Sequence, residues 1–410
     1  MRGYEQQYED AFFGLFQDYF DSEKDAGKQH DPANYSLDRM YPLAALAGNP
    51  EQALQIIHVA GTKGKGSTCH FLSSMLTAAG CKCGLFTSPH LATVRERFQL
   101  DNQLISYELL LRKTRSFLPA LQQSRLKPSL FEIFTVLALQ IFRDAGMQWA
   151  VLETGIGGRL DASNYIRQPK ATVITAVSFD HLALLGNSIE AIASEKAGII
   201  KPGVPLILGK QPFAAAEELI RRRATELQAP LYRPDDDLPT TVLPPHTPKF
   251  LQDNFALARK TLAVLGLTPQ WESFRWPELR ARCEKICDSP LVLLDAAHNA
   301  DSSEKLVDAV LKLYPDTRFT VVLGIVKGKD VQGIVNAFKK LPADFILTSP
   351  HTSKGSALPE LQLLARQAGL EIRAIIPELQ HREQLPQNCP LLFTGSFFTA
   401  LIGEKLFSQI

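Results

Sequence analysis

A glycine-rich turn between a predicted strand and a predicted helix is the feature that most constrains the fold of this chain. The strand covers residues 55–60, the turn runs from Gly61 to Ser67, and an apolar-patterned helix follows as far as Gly80. In a phosphate-binding loop, glycines let backbone N–H groups surround phosphate oxygens, and the next helix N-terminus adds partial positive charge. Lys65 is placed to reach terminal phosphates. The turn therefore predicts a phosphate site at the carboxyl end of a strand.

The turn departs from the general phosphate-loop pattern at two positions. Val59 stands where that pattern has its first glycine, and Gly66 stands where Ser or Thr normally holds magnesium. Either Ser67 takes over the hydroxyl role, or the hydroxyl comes from another part of the chain. The sequence leaves both alternatives open.

Short β-branched runs alternate with longer helical patterns, which is typical of parallel sheets covered by helices. Strands are predicted at residues 84–86, 149–152, 171–176, 204–208, 291–294, 319–323, 345–348, 372–376 and 391–394. We predict an α/β fold: a mostly parallel sheet domain with the phosphate loop at residues 1–276, then a smaller Rossmann-like α/β domain at 289–410. Residues 277–288 are the expected linker, and the polar stretch 232–249 is expected to be a long loop.

Composition excludes several classes of function. The chain has 410 residues, 45% of them hydrophobic, and a formal net charge of +1, so it presents no strong field to nucleic acid or membrane. No apolar run is long enough to span a bilayer, and the N-terminus has no apolar signal region. The six cysteines fit neither a paired zinc motif nor a secreted disulfide framework. We expect a cytoplasmic protein that acts on small molecules.

Polar side chains follow several predicted strands, where open parallel sheets bind their ligands. Ser88, Glu153 and His181 offer a hydroxyl, a carboxylate and an imidazole. This is a sensible magnesium set, because Mg²⁺ prefers oxygen and keeps several waters. Each residue alone is a weak signal, since a strand-end serine is more often a turn former. From spacing alone, Lys196 is interpreted as half of a solvated ion pair with the preceding glutamate.

Four motifs occur in order along the chain: HVAGTKGKGS at 58–67, TSPHL at 87–91, ETGIGGRLDASN at 153–164 and DAAHN at 295–299. Together they resemble the folylpolyglutamate synthase/dihydrofolate synthase family of the Mur ligase superfamily, over nearly the whole chain. The resemblance implies an ATP-dependent ligase that adds L-glutamate to a folate through an acyl phosphate. Whether dihydropteroate, a reduced folate or both are substrates stays open.

The resemblance also implies residue roles that spacing does not decide. It makes Ser88, Glu153 and His181 magnesium ligands, and it makes Lys196 a carbamylated lysine that helps to hold the second of two magnesium ions. The residues implied for ATP are Gly61, Thr62, Gly64, Lys65, Gly66, Ser67, Asn254, Arg282 and Asp295. Those implied for folate or pteroate are Phe131, Glu132, Leu160, Asp161 and Ala162. Catalytic roles are implied for Lys65, Lys196 and His298, and a monomer is expected.

The chain departs from the family pattern near the expected linker. The family's Trp-Pro-Gly-Arg is here Trp276-Pro277-Glu278-Leu279-Arg280, and a second arginine, Arg282, follows. Aligning on the downstream Glu284 makes Arg282 the phosphate-contacting arginine, whereas aligning on Trp-Pro favours Arg280. We choose Arg282. The usual glycine of the DAAHN motif is Ala296, and neither change removes a charge that the chemistry needs.

Three other functions remain as alternatives. A ligase of the same superfamily that acts on a cell-wall precursor shares most of the motifs. A non-catalytic nucleotide-binding module would need the phosphate loop but not a set of metal ligands. A small-molecule kinase would use the same phosphate chemistry and release a stable phosphorylated product.

Overall fold

The chain forms two compact units. The computed structural model describes residues 2–21, 36–235, 242–245, 247–350 and 355–407. The first unit comprises Met1–Pro244 and Leu251–Pro277, and the second comprises Pro245–Phe250 and Glu278–Ile410. Within the stretch 232–249, expected to be a loop, residues 236–241 and 246 lie outside the described residues.

A mostly parallel sheet organises the first unit. Its strands are β1 (Gln55–Ala60), β2 (Cys83–Phe86), β3 (Phe98–Leu100), β4 (Gln103–Leu104), β5 (Trp149–Glu153), β6 (Ala171–Ile174), β7 (Leu206–Leu208) and β8 (Leu231–Tyr232). Their spatial order is β4-β3-β2-β5-β1-β6-β7-β8, and only the β2–β3 and β3–β4 pairs are antiparallel among these. Four neighbouring strands therefore have their carboxyl ends side by side, at the same end of the sheet: β2, β5, β1 and β6.

Helices cover this sheet. They are α1 (Arg2–Gly14), α2 (Met40–Leu46), α3 (Lys65–Ala78), α4 (Tyr107–Gln123), α5 (Leu130–Asp144), α6 (Leu182–Leu185), α7 (Ile189–Ala197), α8 (Ala214–Glu226) and α9 (Lys249–Val264). One core cluster joins Phe12 of α1 and Phe134 of α5 to Leu152 of β5, and another joins α7 and α8 to β6 and β7. All five residues of β5 are buried, as expected of a central parallel strand.

A second mostly parallel sheet organises the other unit, in the order β13-β12-β11-β14-β10-β9. Its strands are β9 (Glu284–Asp288), β10 (Leu291–Leu294), β11 (Phe319–Leu323), β12 (Ala343–Thr348), β13 (Glu371–Ile376) and β14 (Leu391–Thr394). Its helices are α10 (Ala300–Leu313), α11 (Val331–Phe338), α12 (Leu358–Gln367) and α13 (Phe397–Phe407). Only the edge strand β9 runs antiparallel to its neighbour in this sheet.

The predicted fold class, two α/β units built on mostly parallel sheets, is confirmed. The division between the units falls at Pro277 and Glu278. Part of the segment expected to be a linker is the strand β9, which pairs with β10. Among the described residues, no helix combines the length and the apolar character needed to cross a membrane.

Candidate active site

Two glycines give the loop between β1 and α3 its shape. Gly61 has a φ of 145° and Gly64 has a φ of 87°, both in a region that L side chains rarely adopt. A Cβ on Gly61 would collide with the hydroxyl of Thr175, and a Cβ on Gly64 would collide with the amide of Asn254. Gly64 is also the N-cap of α3, which begins at Lys65. The loop therefore ends with the free N–H groups of a helix N-terminus, which suits a bound phosphate.

The first half of this loop is anchored to the segment that follows β6. The backbone N–H groups of Thr62 and Lys63 both donate to the carbonyl of Ala176, at 2.9 and 3.1 Å. The Thr62 hydroxyl donates to the Ser178 carbonyl at 3.0 Å and accepts from the Ser178 N–H at 3.1 Å. The Thr62 side chain therefore fixes the shape of the loop, and its contact with ATP stays a prediction.

The Glu153 carboxylate lies beside the start of α3. Glu153 ends β5, is 4% exposed, and its Oε2 accepts a hydrogen bond from the backbone N–H of Ser88 at 3.1 Å. A Cβ on Gly66 would lie 3.5 Å from the same oxygen. Residue 66 has no hydroxyl, but Ser88 and the carboxylate stand next to it. The structure therefore brings together the phosphate loop and two of the predicted metal ligands.

His181 is held next to the same loop through Asp180. Its backbone N–H donates to Asp180 Oδ1 at 3.0 Å, and its Nε2 lies 4.0 Å from that oxygen. The other oxygen of Asp180 accepts from Lys63 Nζ at 3.1 Å. Lys63 was not among the predicted site residues, because the phosphate-loop pattern assigns a role to Lys65 alone. Its ion pair with Asp180 places the His181 segment against the phosphate loop.

Lys196 is buried, not solvated. Its side chain is enclosed near the end of α7, with Nζ donating to the Gly157 carbonyl at 3.4 Å. The pKa of Lys196 is lowered to about 7, mainly by burial and in part by the positive charge of Lys65, while Asp180 and Asp161 oppose the shift. The interpretation of Lys196 as half of a solvated ion pair is wrong. The preceding residue, Glu195, pairs instead with Arg159 at 2.8 Å.

The available donors suit a hard divalent cation. Across the described ranges, no group of three or more His, Cys, Asp and Glu side chains is arranged to hold a metal ion. The predicted metal ligands are one carboxylate (Glu153), one imidazole (His181), one hydroxyl (Ser88) and Lys196. Lys196 adds a carboxylate-like group only when it is carbamylated. A few oxygen donors with room for water are what Mg²⁺ accepts, whereas a zinc site would need a fuller cluster.

Both acidic residues predicted for the folate site are engaged by the protein. Glu132 Oε2 accepts from the Ser129 N–H at 2.6 Å in a capping box that begins α5, and Oε1 pairs with Arg39 at 3.0 Å. Asp161 is 5% exposed and accepts hydrogen bonds from its own turn. Arg39 was missed, since nothing in one sequence links it to a residue 93 positions away.

The other residues predicted for the folate site are aromatic or apolar. The Phe131 ring packs on Phe86 with centroids 5.7 Å apart, and a Cβ on Gly155 would lie 2.8 Å from Phe131 Cζ. Leu160 is half-buried and Ala162 is buried. The five residues predicted for folate therefore belong to one region of the first unit, formed by α5 and the turn after β5.

A second polar group lies at the end of β10 in the second unit. Asp295 is buried and accepts from the N–H groups of Cys283 and Ala297, at 2.8 and 2.7 Å. Burial raises the pKa of Asp295 to about 6, and the positive charge of Arg282 opposes the shift. His298 Nδ1 lies 2.9 Å from the Ala296 carbonyl, an arrangement in which the ring donates through Nδ1.

The two candidate arginines have different surroundings. Arg280 pairs with Glu284 at 3.2 Å and with Glu404. The Arg282 guanidinium lies 5.0 Å from the centroid of the Phe397 ring, and the His298 ring lies 6.3 Å from the same ring. Phe397, the first residue of α13, was not predicted. Arg282 is thus grouped with Asp295 and His298, which favours it over Arg280 for a role in the site.

Family models match both units. Residues 59–208 match the Mur ligase middle domain, and residues 281–387 match the Mur ligase, glutamate ligase domain. The chain is similar to the folylpolyglutamate synthase of Lacticaseibacillus casei, with 32% identity over 90% of this chain and 94% of that protein.

Solved structures give the same result. A folylpolyglutamate synthase of Mycobacterium tuberculosis complexed with ADP and AMPPCP has a TM-score of 0.81 and 27% identity, covering 91% of this chain and 95% of that one. A bifunctional folylpolyglutamate synthase/dihydrofolate synthase of Yersinia pestis complexed with AMPPNP and a manganese ion has a TM-score of 0.79 and 27% identity, covering 90% and 93%.

Proposed function

Because this chain belongs to the folylpolyglutamate synthase/dihydrofolate synthase family and is therefore an ATP-dependent glutamate ligase, we propose that it lengthens the glutamate tail of a reduced folate and also adds the first glutamate to dihydropteroate. Relatives that match 74% to 90% of this chain favour this family over a ligase of cell-wall precursors. The observation that carries the proposal is the buried Glu153 carboxylate against Gly66 of the phosphate loop, with Ser88 beside it.

The reaction must turn a carboxylate into an acyl donor, because oxide is a poor leaving group. A carboxylate oxygen of the substrate attacks the γ-phosphorus of ATP, and ADP leaves to give an acyl phosphate. The uncharged amine of glutamate then attacks the acyl carbon, phosphate leaves, and the amine proton is lost as the amide forms. Negative charge develops on the phosphoryl oxygens, where Lys65 and the N-terminus of α3 supply compensating positive charge.

We propose Ser88, Glu153, His181 and a carbamylated Lys196 as the residues that hold two magnesium ions. The donor set fits, since it offers oxygen ligands at adjoining strand ends and few nitrogen ligands. A bound divalent cation would supply charge neutralisation at the phosphoryl oxygens. The chain's own contribution is the register of β2 and β5, which sets Ser88 beside Glu153.

The surroundings of Lys196 support its carbamylation. Only an uncharged amine attacks CO₂, and the product is a carbamate that carries a carboxylate-like group. An amine with a pKa lowered to about 7 is substantially uncharged at neutral pH. Lys65 and Lys63, whose charges lower that pKa, would in turn stabilise a negative carbamate.

The remaining site residues keep the roles that the resemblance implies, as proposals. Gly61, Gly64, Ser67 and Asn254 would contact ATP in the first unit, and Arg282 and Asp295 in the second, with His298 beside them. Phe131, Leu160 and Ala162 would contact the flat ring system of the folate. We also propose a cytoplasmic monomer; the six cysteines are free, which suits a reducing compartment.

One experiment separates the proposal from its alternatives. The purified protein is incubated with ATP, Mg²⁺ and labelled glutamate, in parallel with tetrahydrofolate, dihydropteroate and a UDP-muramyl peptide. We expect glutamylated products from both pterin substrates, with one ADP and one phosphate released per amide formed. Product from the muramyl peptide alone, a stable phosphorylated product, or no product from any substrate would each contradict the proposal.

A further inference from the structure

The end of α7, which carries Lys196, packs directly against the turn after β5. A Cβ on Gly158 would lie 2.6 Å from the Glu195 carbonyl oxygen and 3.1 Å from Lys196 Cα. A Cβ on Gly198 would lie 2.5 Å from Arg159 Cα. The Arg159 N–H also donates to the Glu195 carbonyl at 2.7 Å. Because backbone meets backbone here, a shift of either segment would move the Lys196 side chain.

The side-chain amide of Asn164 joins these two segments. Asn164 is 5% exposed and lies in a single 3₁₀ turn, Ala162–Tyr165. Its Nδ2 donates to the Arg159 carbonyl at 2.9 Å and to the Gly198 carbonyl at 3.1 Å. Gly198 is the C-cap of α7, and the last carbonyls of a helix have no partner within the helix. One amide group therefore bonds both to the helix end and to the turn.

Lys201 fixes the orientation of this amide. Its Nζ donates to Asn164 Oδ1 at 2.8 Å and to the Asn164 carbonyl at 3.2 Å. An ammonium group donates hydrogen bonds and accepts none, so the side-chain atom of Asn164 that faces it must be the oxygen. The NH₂ group is then turned toward the two carbonyls. Burial lowers the pKa of Lys201 to about 8, so its amine is still mostly protonated at neutral pH.

We propose that Lys201 and Asn164 are positioning residues, which hold the end of α7 so that Lys196 stays at the metal site. The inference rests on the proposed function and adds two residues that lie outside the predicted site. The Lys196 amine makes a long hydrogen bond, 3.4 Å to the Gly157 carbonyl, so its position depends on the backbone that carries it. Changing a group that orients a metal ligand typically lowers metal affinity or activity by about 10- to 100-fold.

The decisive variant is Lys201→Met, which keeps a long unbranched side chain and removes the donor to Asn164. We expect the Mg²⁺ concentration for half-maximal activity to rise about 10-fold, while KM for ATP, folate and glutamate stays within about twofold of the wild type. Lys201→Arg keeps a cationic donor and should recover most of the wild-type Mg²⁺ dependence. Lys113→Met is the matched control: Lys113 is also half-buried, lies in α4 and pairs with Asp144 at 2.6 Å.

Two readouts need no turnover. With Mg²⁺ present, labelled bicarbonate and ¹³C NMR measure the fraction of chains that carry a carbamate. We expect that fraction to fall in Lys201→Met, by up to about 10-fold at limiting CO₂, and to be unchanged in Lys113→Met. The Arg159 amide donates to the Glu195 carbonyl, so its hydrogen exchange should be faster in Lys201→Met. Asn164→Asp keeps the shape but sets an oxygen against the two carbonyls, and it should show both effects.

Two results would overturn the inference. One is an unchanged Mg²⁺ requirement and carbamate fraction in folded Lys201→Met, because faster exchange alone would show only a structural role. The other is a rise of more than about 10-fold in KM for one substrate with the Mg²⁺ requirement retained, the pattern of a lost substrate contact. If Asn164→Asp does not fold, Lys201→Met decides the question alone.

Failure of the proposed function would look different from failure of this inference. If the wild-type protein carries no carbamate, the role proposed for Lys196 fails by itself. Unchanged exchange of the Arg159 amide in Lys201→Met would instead show that Lys201 does not hold the two segments together, whatever the substrate of the protein is.

Discussion

The carboxylate of Glu153 accepts a hydrogen bond from the backbone N–H of Ser88 across 3.1 Å. The two residues are 65 positions apart, and the register of β2 with β5, which sets Phe86 opposite Leu152, brings them together. A buried carboxylate with one oxygen held by an N–H beside a phosphate loop is arranged to attract a cation.

Glu153→Gln tests this arrangement. The amide keeps the shape and an acceptor for the Ser88 N–H but loses the charge that binds a cation. We expect the Mg²⁺ concentration for half-maximal activity to rise about 10- to 100-fold, with little change in melting temperature. Titration of the activity with Mg²⁺ measures this concentration. The control is Glu218→Gln, which changes an exposed glutamate on α8. An unchanged Mg²⁺ requirement would show that Glu153 is not a metal ligand.

Lys65→Ala tests the phosphate loop. Lys65 is the first residue of α3 and is half-buried, so its loss should leave the fold intact. We expect ligation to fall by at least about 100-fold, because the side chain neutralises charge that develops on the phosphoryl group. Steady-state kinetics and circular dichroism measure the two effects, and the exposed Lys82→Ala is the control. Normal turnover by folded Lys65→Ala protein would contradict the assignment.

Most of the strands that the sequence predicted are short, mainly apolar runs. Two of the strands that it missed, β4 and β9, do not have that pattern. Residues 103–104 of β4 are both exposed, and three of the five residues of the edge strand β9 are charged. Edge strands need little apolar surface, so the polar sequence of 284–288 was assigned to the linker. Periodicity alone does not distinguish such a strand from a loop.

The candidate site could be predicted only as far as strand ends and motifs allow. The turn at 61–67 and Glu153 follow from local patterns. The burial of Lys196 does not, because the sequence around it gives no sign that the turn at Gly157 covers its amine. The hydrogen bond between the His58 ring and the Ser163 hydroxyl joins residues 105 positions apart, and one sequence carries no record of such a contact.

Carbamylation of Lys196 should depend on CO₂. In CO₂-free buffer we expect activity to fall and bicarbonate to restore it, since the uncharged amine reacts reversibly. Intact mass and ¹³C NMR with labelled bicarbonate would detect one carbamate per chain, absent in Lys196→Met. Lys201 is the internal control: burial lowers its pKa to about 8, but its amine donates to Asn164 at 2.8 Å. Activity that is indifferent to CO₂, with no carbamate detected, would contradict the proposal.

Lys196 should also make stability depend on pH. Its pKa is about 7 in the folded chain, against the ordinary lysine value of 10.5, so the unfolded chain binds more protons between those two pH values. Stability therefore rises with pH across that window, and the cost of the buried amine is largest below pH 7. In CO₂-free buffer, Lys196→Met should be more stable than the wild type at pH 6, by on the order of a few kcal/mol. Urea unfolding of both proteins at pH 6 and pH 9 measures this difference in stability. If the stability advantage of Lys196→Met did not shrink at pH 9, the lowered pKa of Lys196 would be contradicted.

Arg282→Lys and Arg280→Lys form a matched pair that decides between the two arginines. Arg282 lies over Phe397 and its charge acts on the buried Asp295, whereas Arg280 pairs with Glu284 and Glu404. Lysine keeps the charge but loses the planar fork that binds phosphate oxygens in pairs. We therefore expect KM for ATP to rise about 10-fold in Arg282→Lys, equivalent to the loss of one charge-assisted contact. Arg280→Lys should leave KM for ATP unchanged and lower the free energy of unfolding by no more than about 1 kcal/mol. If KM for ATP instead rose in Arg280→Lys and stayed unchanged in Arg282→Lys, Arg280 would be the phosphate-contacting arginine. That result would support the alignment on Trp276-Pro277.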